Sequence, residues 1–172
     1  DVDYDDKKTI SFTIYQPNIY PQESYNADEY ENIRNKYLNF LNKKNDSDII
    51  IFPETIVPYE LQKNDILYKK ITEFTSKEKI LITGLFTIDG NKVFNSMVFF
   101  SDHVQIYNKR KLVPFGEYTP WYNTFIKLAE SLDIPLSNIA HGFDNQKDIN
   151  FKDIKIVPII CFESTFSNLI NS

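Results

Sequence analysis

The sequence predicts an α/β layered domain, and three observations carry that expectation. Ile49-Ile50-Ile51-Phe52 is apolar at every position, as in a strand covered on both faces. Tyr30, Ile33, Tyr37, Phe40 and Leu41 recur at helical spacing and give one apolar face. Two β-rich runs, 80–88 and 93–100, flank Asp89-Gly90, a strong hairpin signal. Helices mixed with fully apolar strands indicate layers around a sheet, and hairpins add antiparallel pairs to it.

The elements follow in order. Residues 1–8 are acidic and polar, as a linker or tail would be, so the domain is expected over 9–172. Residues 9–15 alternate and read as a strand. Pro17 and Pro21 mark a loop. Asn26 opens a helix, with Glu29 completing a capping box, and Lys43-Lys44 close it against the negative end of its dipole. A strand over 48–52 stops at Pro53, and a second helix spans about 64–77. After the hairpin, a turn at Ser101-Asp102 precedes a strand over 103–107. Residues 108–123 are rich in Pro, Gly and aromatics and read as a structured loop. A short helix is expected over 125–132, a buried strand over 154–160, and a helix from Ser164 onward.

Composition removes several function classes. The chain has 172 residues, 42% hydrophobic and 25% charged, which suits one soluble domain with a core. Its net charge of -5 argues against a broad nucleic-acid footprint, and Lys109-Arg110-Lys111 is too short to reverse this. No apolar stretch approaches the ~20 residues that span a bilayer, and no signal peptide is expected within these residues. Cys161 is the only cysteine, so no internal disulfide or zinc framework exists. His103 and His141 lack metal-ligand spacing, and His141-Gly142 reads as a loop. No metal and no organic cofactor is expected.

Three segments carry chemistry. The apolar run 156–160 leads to Cys161, the run 49–53 leads to Glu54, and a strand leads to Lys109. Each has an ordinary reading: a core thiol, a surface acid, a solvated basic turn. Together they gain meaning, because active sites in α/β sheets gather outside strand carboxyl ends. A thiol with a pKa near ~8.5 needs a base or a nearby cation. Glu54 can supply the base, and Lys109 can supply the cation and stabilise an oxyanion. The N–H of Phe162 is a candidate second oxyanion donor.

These residues carry a resemblance. Phe52-Pro53-Glu54-Thr55, Tyr107-Asn108-Lys109, the string from Leu112 to Tyr118 and Ile160-Cys161-Phe162-Glu163 resemble the nitrilase superfamily. Leu112-Val113-Pro114-Phe115-Gly116-Glu117-Tyr118 with Pro120-Trp121, and Asn95-Ser96 after Gly84, are most similar to its apolipoprotein N-acyltransferase branch. The resemblance implies a nitrilase-like αββα sandwich, of which this chain is the first part, incomplete at the C-terminus. It implies a triad of Glu54 as base, Lys109 as oxyanion stabiliser and Cys161 as nucleophile, with Glu117 and Glu163 assisting. Phe162 departs from the Tyr frequent in that branch.

The resemblance further implies transfer of an acyl chain from a phospholipid, through a Cys161 thioester, to the amino terminus of a lipid-modified lipoprotein. That reaction belongs to the periplasmic face of the bacterial inner membrane, reached through segments absent from this chain. The alternative is a soluble carbon–nitrogen hydrolase with the same triad. Phe115, Tyr118 and Trp121 are expected in a substrate-facing loop, either as core packing or as a lipid-facing lid.

Overall fold

The computed structural model describes residues 9–20, 27–114, 116–119 and 139–170. Residues 1–8, Asn26, Phe115, Trp121 and the helix expected over 125–132 lie outside the described residues.

Five strands form one sheet: β1 (Phe12–Ile14), β2 (Ile49–Ile51), β3 (Ile80–Asp89), β4 (Lys92–Phe100) and β5 (Val104–Asn108), in that spatial order. β1, β2 and β3 run parallel, with Ile50 opposite Thr13 on one side and Leu81 on the other. Parallel neighbours need crossovers, and α1 (Tyr30–Leu41) and α2 (Ile66–Phe74) provide them. β3 and β4 pair antiparallel through a tight turn at Gly90, whose φ of 58° is left-handed and suits a residue without Cβ. β5 returns antiparallel to β4, so it runs parallel to β2. The carboxyl ends of β2 and β5 therefore lie at the same edge of the sheet.

Local sequence explains the helices. Asp65 caps α2, its carboxylate accepting the Leu67 N–H at 2.7 Å. Ile33, Tyr37 and Leu41 are the buried face of α1. They pack with Leu67 and Ile71 of α2 over Ile50, Leu81, Val98 and Phe100 of the sheet. The α1 helix begins at Tyr30, after a 3-10 turn over Ala27–Glu29, and Glu29 makes no side-chain cap. No helix among the described residues is long and apolar enough to cross a membrane.

The opposite face of the sheet carries Ile80, Ile82, Phe99 and Tyr107. Ile149, Phe151 and Ile160 cover them. Here the structure differs from the expected buried strand over 154–160. β7 is only Ile154–Ile156, and it pairs antiparallel with β6 (Ile149–Phe151) as a separate two-stranded ribbon. Pro158 cannot donate to a ladder, and Ile154 and Val157 are exposed. Cys161–Thr165 form a 3-10 turn, followed by α3 (Ser167–Ile170). The architecture is α/β: helices on one face of a mixed sheet, and a second, smaller β layer on the other.

Lys152, at the tip of the ribbon with φ 53°, anchors it to the main sheet. Its ammonium lies 2.7 Å from Asp48 Oδ1 and 3.2 Å from Glu78 Oε2. The Lys152 hydrogen bond, with those from the Ser11 N–H and hydroxyl, holds the Asp48 carboxyl well below the usual carboxylate range. The hydrogen bond to Asp48 in turn raises Lys152. A depressed acid stabilises the fold above its unfolded pKa of ~3.9, and loses that effect as pH falls through its folded value. The raised lysine contributes below its unfolded value of ~10.4, and loses that only at higher pH. The anchor is thus intact at neutral pH and released in strong acid. We expect the ribbon amides to exchange faster below about pH 3, ahead of the β3–β4 amides. Asp48→Asn should bring that faster exchange to neutral pH. Unchanged ribbon exchange in the variant would show that the anchor is idle.

Candidate active site

Glu54 is positioned by a break in strand pairing. β2 ends at Ile51, but contact with β3 continues: Phe52 N–H to Ile82 O at 2.8 Å, Gly84 N–H to Pro53 O at 3.0 Å, and Ile56 N–H to Gly84 O at 3.1 Å. Glu54 and Thr55 arch between the last two bonds. Thr55 has φ 51°, an outlier for a β-branched residue and the kind of strain found at functional sites. The arch lies directly on Gly84, where an added Cβ would fall 2.5 Å from Glu54 Cα and 2.6 Å from Thr55 N. Both atoms are backbone and cannot swing away. Gly84→Ala should therefore cost at least the 1–3 kcal/mol usual for overpacking, about that much in a urea titration. It should also displace Glu54 and lower activity more than the stability loss explains.

Lys109 follows β5 directly and is almost fully buried, at 1% exposure. Its backbone is held on both sides. Its N–H reaches Asn95 O at 2.8 Å, and its carbonyl accepts the Gly142 N–H at 2.8 Å. A Cβ on Gly142 would collide with the Asn108 carbonyl, so only glycine allows that approach. The Gln146 side chain serves the edge of β5 as a neighbouring strand would. Its oxygen accepts the Asn108 N–H at 2.7 Å, and its nitrogen donates to Asn108 O at 2.6 Å.

The Lys109 ammonium sits between two carboxylates. It is 2.9 Å from both oxygens of Glu117 and 3.8 Å from Glu54 Oε1. Glu117 also accepts the Val113 N–H at 2.9 Å. Burial, the largest single influence on Glu117, opposes its ionisation. The bonds from Lys109, Val113 and Asn95 outweigh it and hold the carboxyl below its ordinary value. Glu54 is the open member of the set, with 38% of its side chain exposed. It borders a cleft of about 200 Å³ whose walls include Gln16, Asn18, Tyr37 and Ile56.

Cys161 is exposed and has φ 48°, at the first residue of its 3-10 turn. It does not end a strand directly, since 157–160 intervene after β7. Glu163 sets its position. This carboxylate is fully buried, yet it accepts the Ile160 N–H at 3.0 Å, the Arg110 N–H at 2.7 Å, the Lys111 N–H at 3.1 Å and the Tyr107 hydroxyl at 2.9 Å. Four donors explain how a carboxylate sits in the core. Burial, reinforced by the neighbouring Glu163 charge, lifts the Tyr107 hydroxyl to about 12, so it stays a donor at working pH. Arg110 Nε donates to the Tyr107 oxygen at 3.0 Å. Glu163 thus ties the backbone just before Cys161 to the backbone just after Lys109.

The structure brings Glu54, Lys109 and Glu117 into one cluster, and Glu163 fastens the Cys161 turn to the backbone of Arg110 and Lys111, the residues that follow Lys109. Phe162 is half-buried, its ring edge-on to Phe166 at 5.2 Å. Tyr118 is half-buried against His141 at 5.1 Å. The other loop aromatics, Phe115 and Trp121, lie outside the described residues. Sequence reading missed Asn95 as a partner of two carboxylates, along with Tyr107, Gly142 and Gln146. Asn95 and Tyr107 left a signal only as members of the quoted motifs Asn95-Ser96 and Tyr107-Asn108-Lys109, and Gly142 and Gln146 left none.

The pattern of the carbon–nitrogen hydrolase family matches residues 13–172. An apolipoprotein N-acyltransferase from Coxiella burnetii is 29% identical over 162 residues, covering 92% of this chain and 33% of that protein. Another, from Pseudomonas paraeruginosa, is 34% identical over 127 residues, covering 70% and 25%. The chain spans about a third or less of the length of these relatives. Among solved structures, a CN-hydrolase superfamily protein from Xanthomonas campestris superposes with a TM-score of 0.56 at 19% identity, covering 80% of this chain and 49% of that one. It shares the fold.

Proposed function

The chain belongs to the carbon–nitrogen hydrolase family, and from that premise we propose that it carries the catalytic residues of a phospholipid-dependent N-acyltransferase. Glu54 is the base, Lys109 the oxyanion stabiliser and Cys161 the nucleophile. The observation that carries the reading is the buried Lys109 ammonium, paired with Glu117 and held beside an exposed Glu54. The similarity to apolipoprotein N-acyltransferases supports the choice of substrates.

In the first step Glu54 takes the Cys161 proton, and the sulfur attacks an ester carbonyl of the phospholipid. The negative charge forming on the carbonyl oxygen is met by Lys109. The tetrahedral species collapses, breaking the C–O bond. Glu54 returns its proton to the leaving alkoxide, and a lysophospholipid departs. In the second step the α-amine of a lipoprotein's lipid-modified terminal cysteine attacks the thioester. Glu54 accepts the amine proton, the C–S bond breaks, and the proton returns to sulfur. The net change is transfer of one acyl group from oxygen to nitrogen. Glu117 holds Lys109 in place throughout. The reaction is assigned to the periplasmic face of the bacterial inner membrane, where both substrates are embedded.

Intact-mass spectrometry tests this. The protein incubated with phospholipid vesicles should gain one acyl group on Cys161, lost again on adding a lipopeptide amine. Release of ammonia from small amides, with no phospholipid adduct, would move the assignment to a hydrolase.

A further inference from the structure

Asn95 stands at the centre of the charged cluster and is 4% exposed. Its Nδ2 lies 2.7 Å from Glu54 Oε1 and 2.6 Å from Glu117 Oε1. Its main-chain carbonyl accepts the Lys109 N–H at 2.8 Å. Both side-chain partners are acceptors when ionised, so the amide must present its NH₂ group to them and spend both hydrogens there. Its own Oδ1 is then left buried with no hydrogen-bond partner. An unsatisfied buried acceptor is destabilising, and simple packing gives no reason to keep one.

We propose that Asn95 is a positioning residue, a neutral double donor that holds the base Glu54 and the lysine's counter-ion Glu117 a fixed distance apart. The two carboxylates repel each other and share one ammonium, which sits closer to Glu117 than to Glu54. Without a bridge, Glu54 would swing toward solvent. A second cation there would also hold it, but by pairing with it and so weakening it as a base. A hydroxyl offers one hydrogen where two are needed. A primary amide offers two hydrogens and no charge, and asparagine's short stem fits a position on β4 between the turn after β2 and the loop after β5. Among the described residues, the charged groups meeting Asn95 are Glu54, Glu117 and Lys109.

This inference takes its substrate from the acyl-transfer reading, but its test does not require that substrate. The rate of Cys161 alkylation by iodoacetamide is measured against pH in the intact protein, beside thioester formation from phospholipid. Asn95→Asp keeps the shape, loses a donor and adds a third negative charge. It should lower both rates at least 10²-fold at neutral pH, and recover part of the loss as pH falls and the new carboxyl is protonated, whereas the parent protein slows over the same range. Asn95→Leu, of similar size and uncharged, should lower both rates with no recovery in acid. Thermal unfolding of each variant separates loss of fold from loss of position. Parent-like alkylation rates and pH profile in a folded Asn95→Asp protein would overturn the proposal. If the parent forms no thioester but its alkylation profile still depends on Asn95, the positioning role stands and the substrate assignment falls.

Discussion

Replacing Cys161 by alanine should abolish acylation of the protein by phospholipid, with no adduct expected in the intact mass at any incubation time. No other thiol exists in the chain to take over. The thiol is exposed, and its left-handed backbone, φ 48°, turns it out of the extended path of 157–160. Alanine meets the same backbone strain as cysteine, so the unfolding midpoint should move little. The variant thus removes the reaction while leaving the fold. An acyl adduct surviving on it would place the nucleophile elsewhere and dismantle the mechanism.

Removing the Lys109 charge has the next largest effect, and it acts twice. Lys109→Met keeps much of the volume but leaves the developing oxyanion unmet, for a loss of about 10²–10³ in single-turnover acylation. It also leaves Glu117 partly buried without its ion partner, and breaking such a pair costs up to about 3–5 kcal/mol. That penalty is moderated because Glu117 still accepts from Val113 and Asn95 and retains 15% side-chain exposure. Neutralising the stranded acid with Glu117→Gln should restore part of the stability in the double variant, but none of the rate. A Lys109→Met protein that is folded and acylates at the parent rate would refute the oxyanion role.

The sequence was most readable where one element settles its own environment. Ile49 to Ile51 announce a covered strand, and Asp89-Gly90 a turn, because those signals are local. At the site, the residue types of the triad and its assisting acids are legible, but the bonds that hold them are not. Glu163 looked like an assistant beside the nucleophile. Its function depends on Tyr107, Arg110 and Lys111, which lie 56, 53 and 52 residues away. Gly84 and Gly142 are needed for close approach of segments that no periodicity links. The run 154–160 reads as one buried strand because apolar content does not reveal pairing partners. Pro158 and the ribbon with β6 confine the ladder to three residues. The Asn26 cap and the aromatic-loop expectations for Phe115 and Trp121 fall outside the described residues.

The buried Glu163 carboxylate also bears on when the reactive centre comes into being. Its bonds join parts of the chain more than fifty residues apart, and the bond from Asn95 to Glu54 closes a span of 41. Contacts of such separation form late, after the chain entropy of closing large loops has been overcome. Until then the carboxylate that would take the sulfur's proton and the ammonium that would steady its product are on unconnected stretches of polypeptide. A partly folded molecule therefore carries an ordinary, sluggish thiol. On the proposed roles, assembly of the core is the event that would bring base, cation and thiol together.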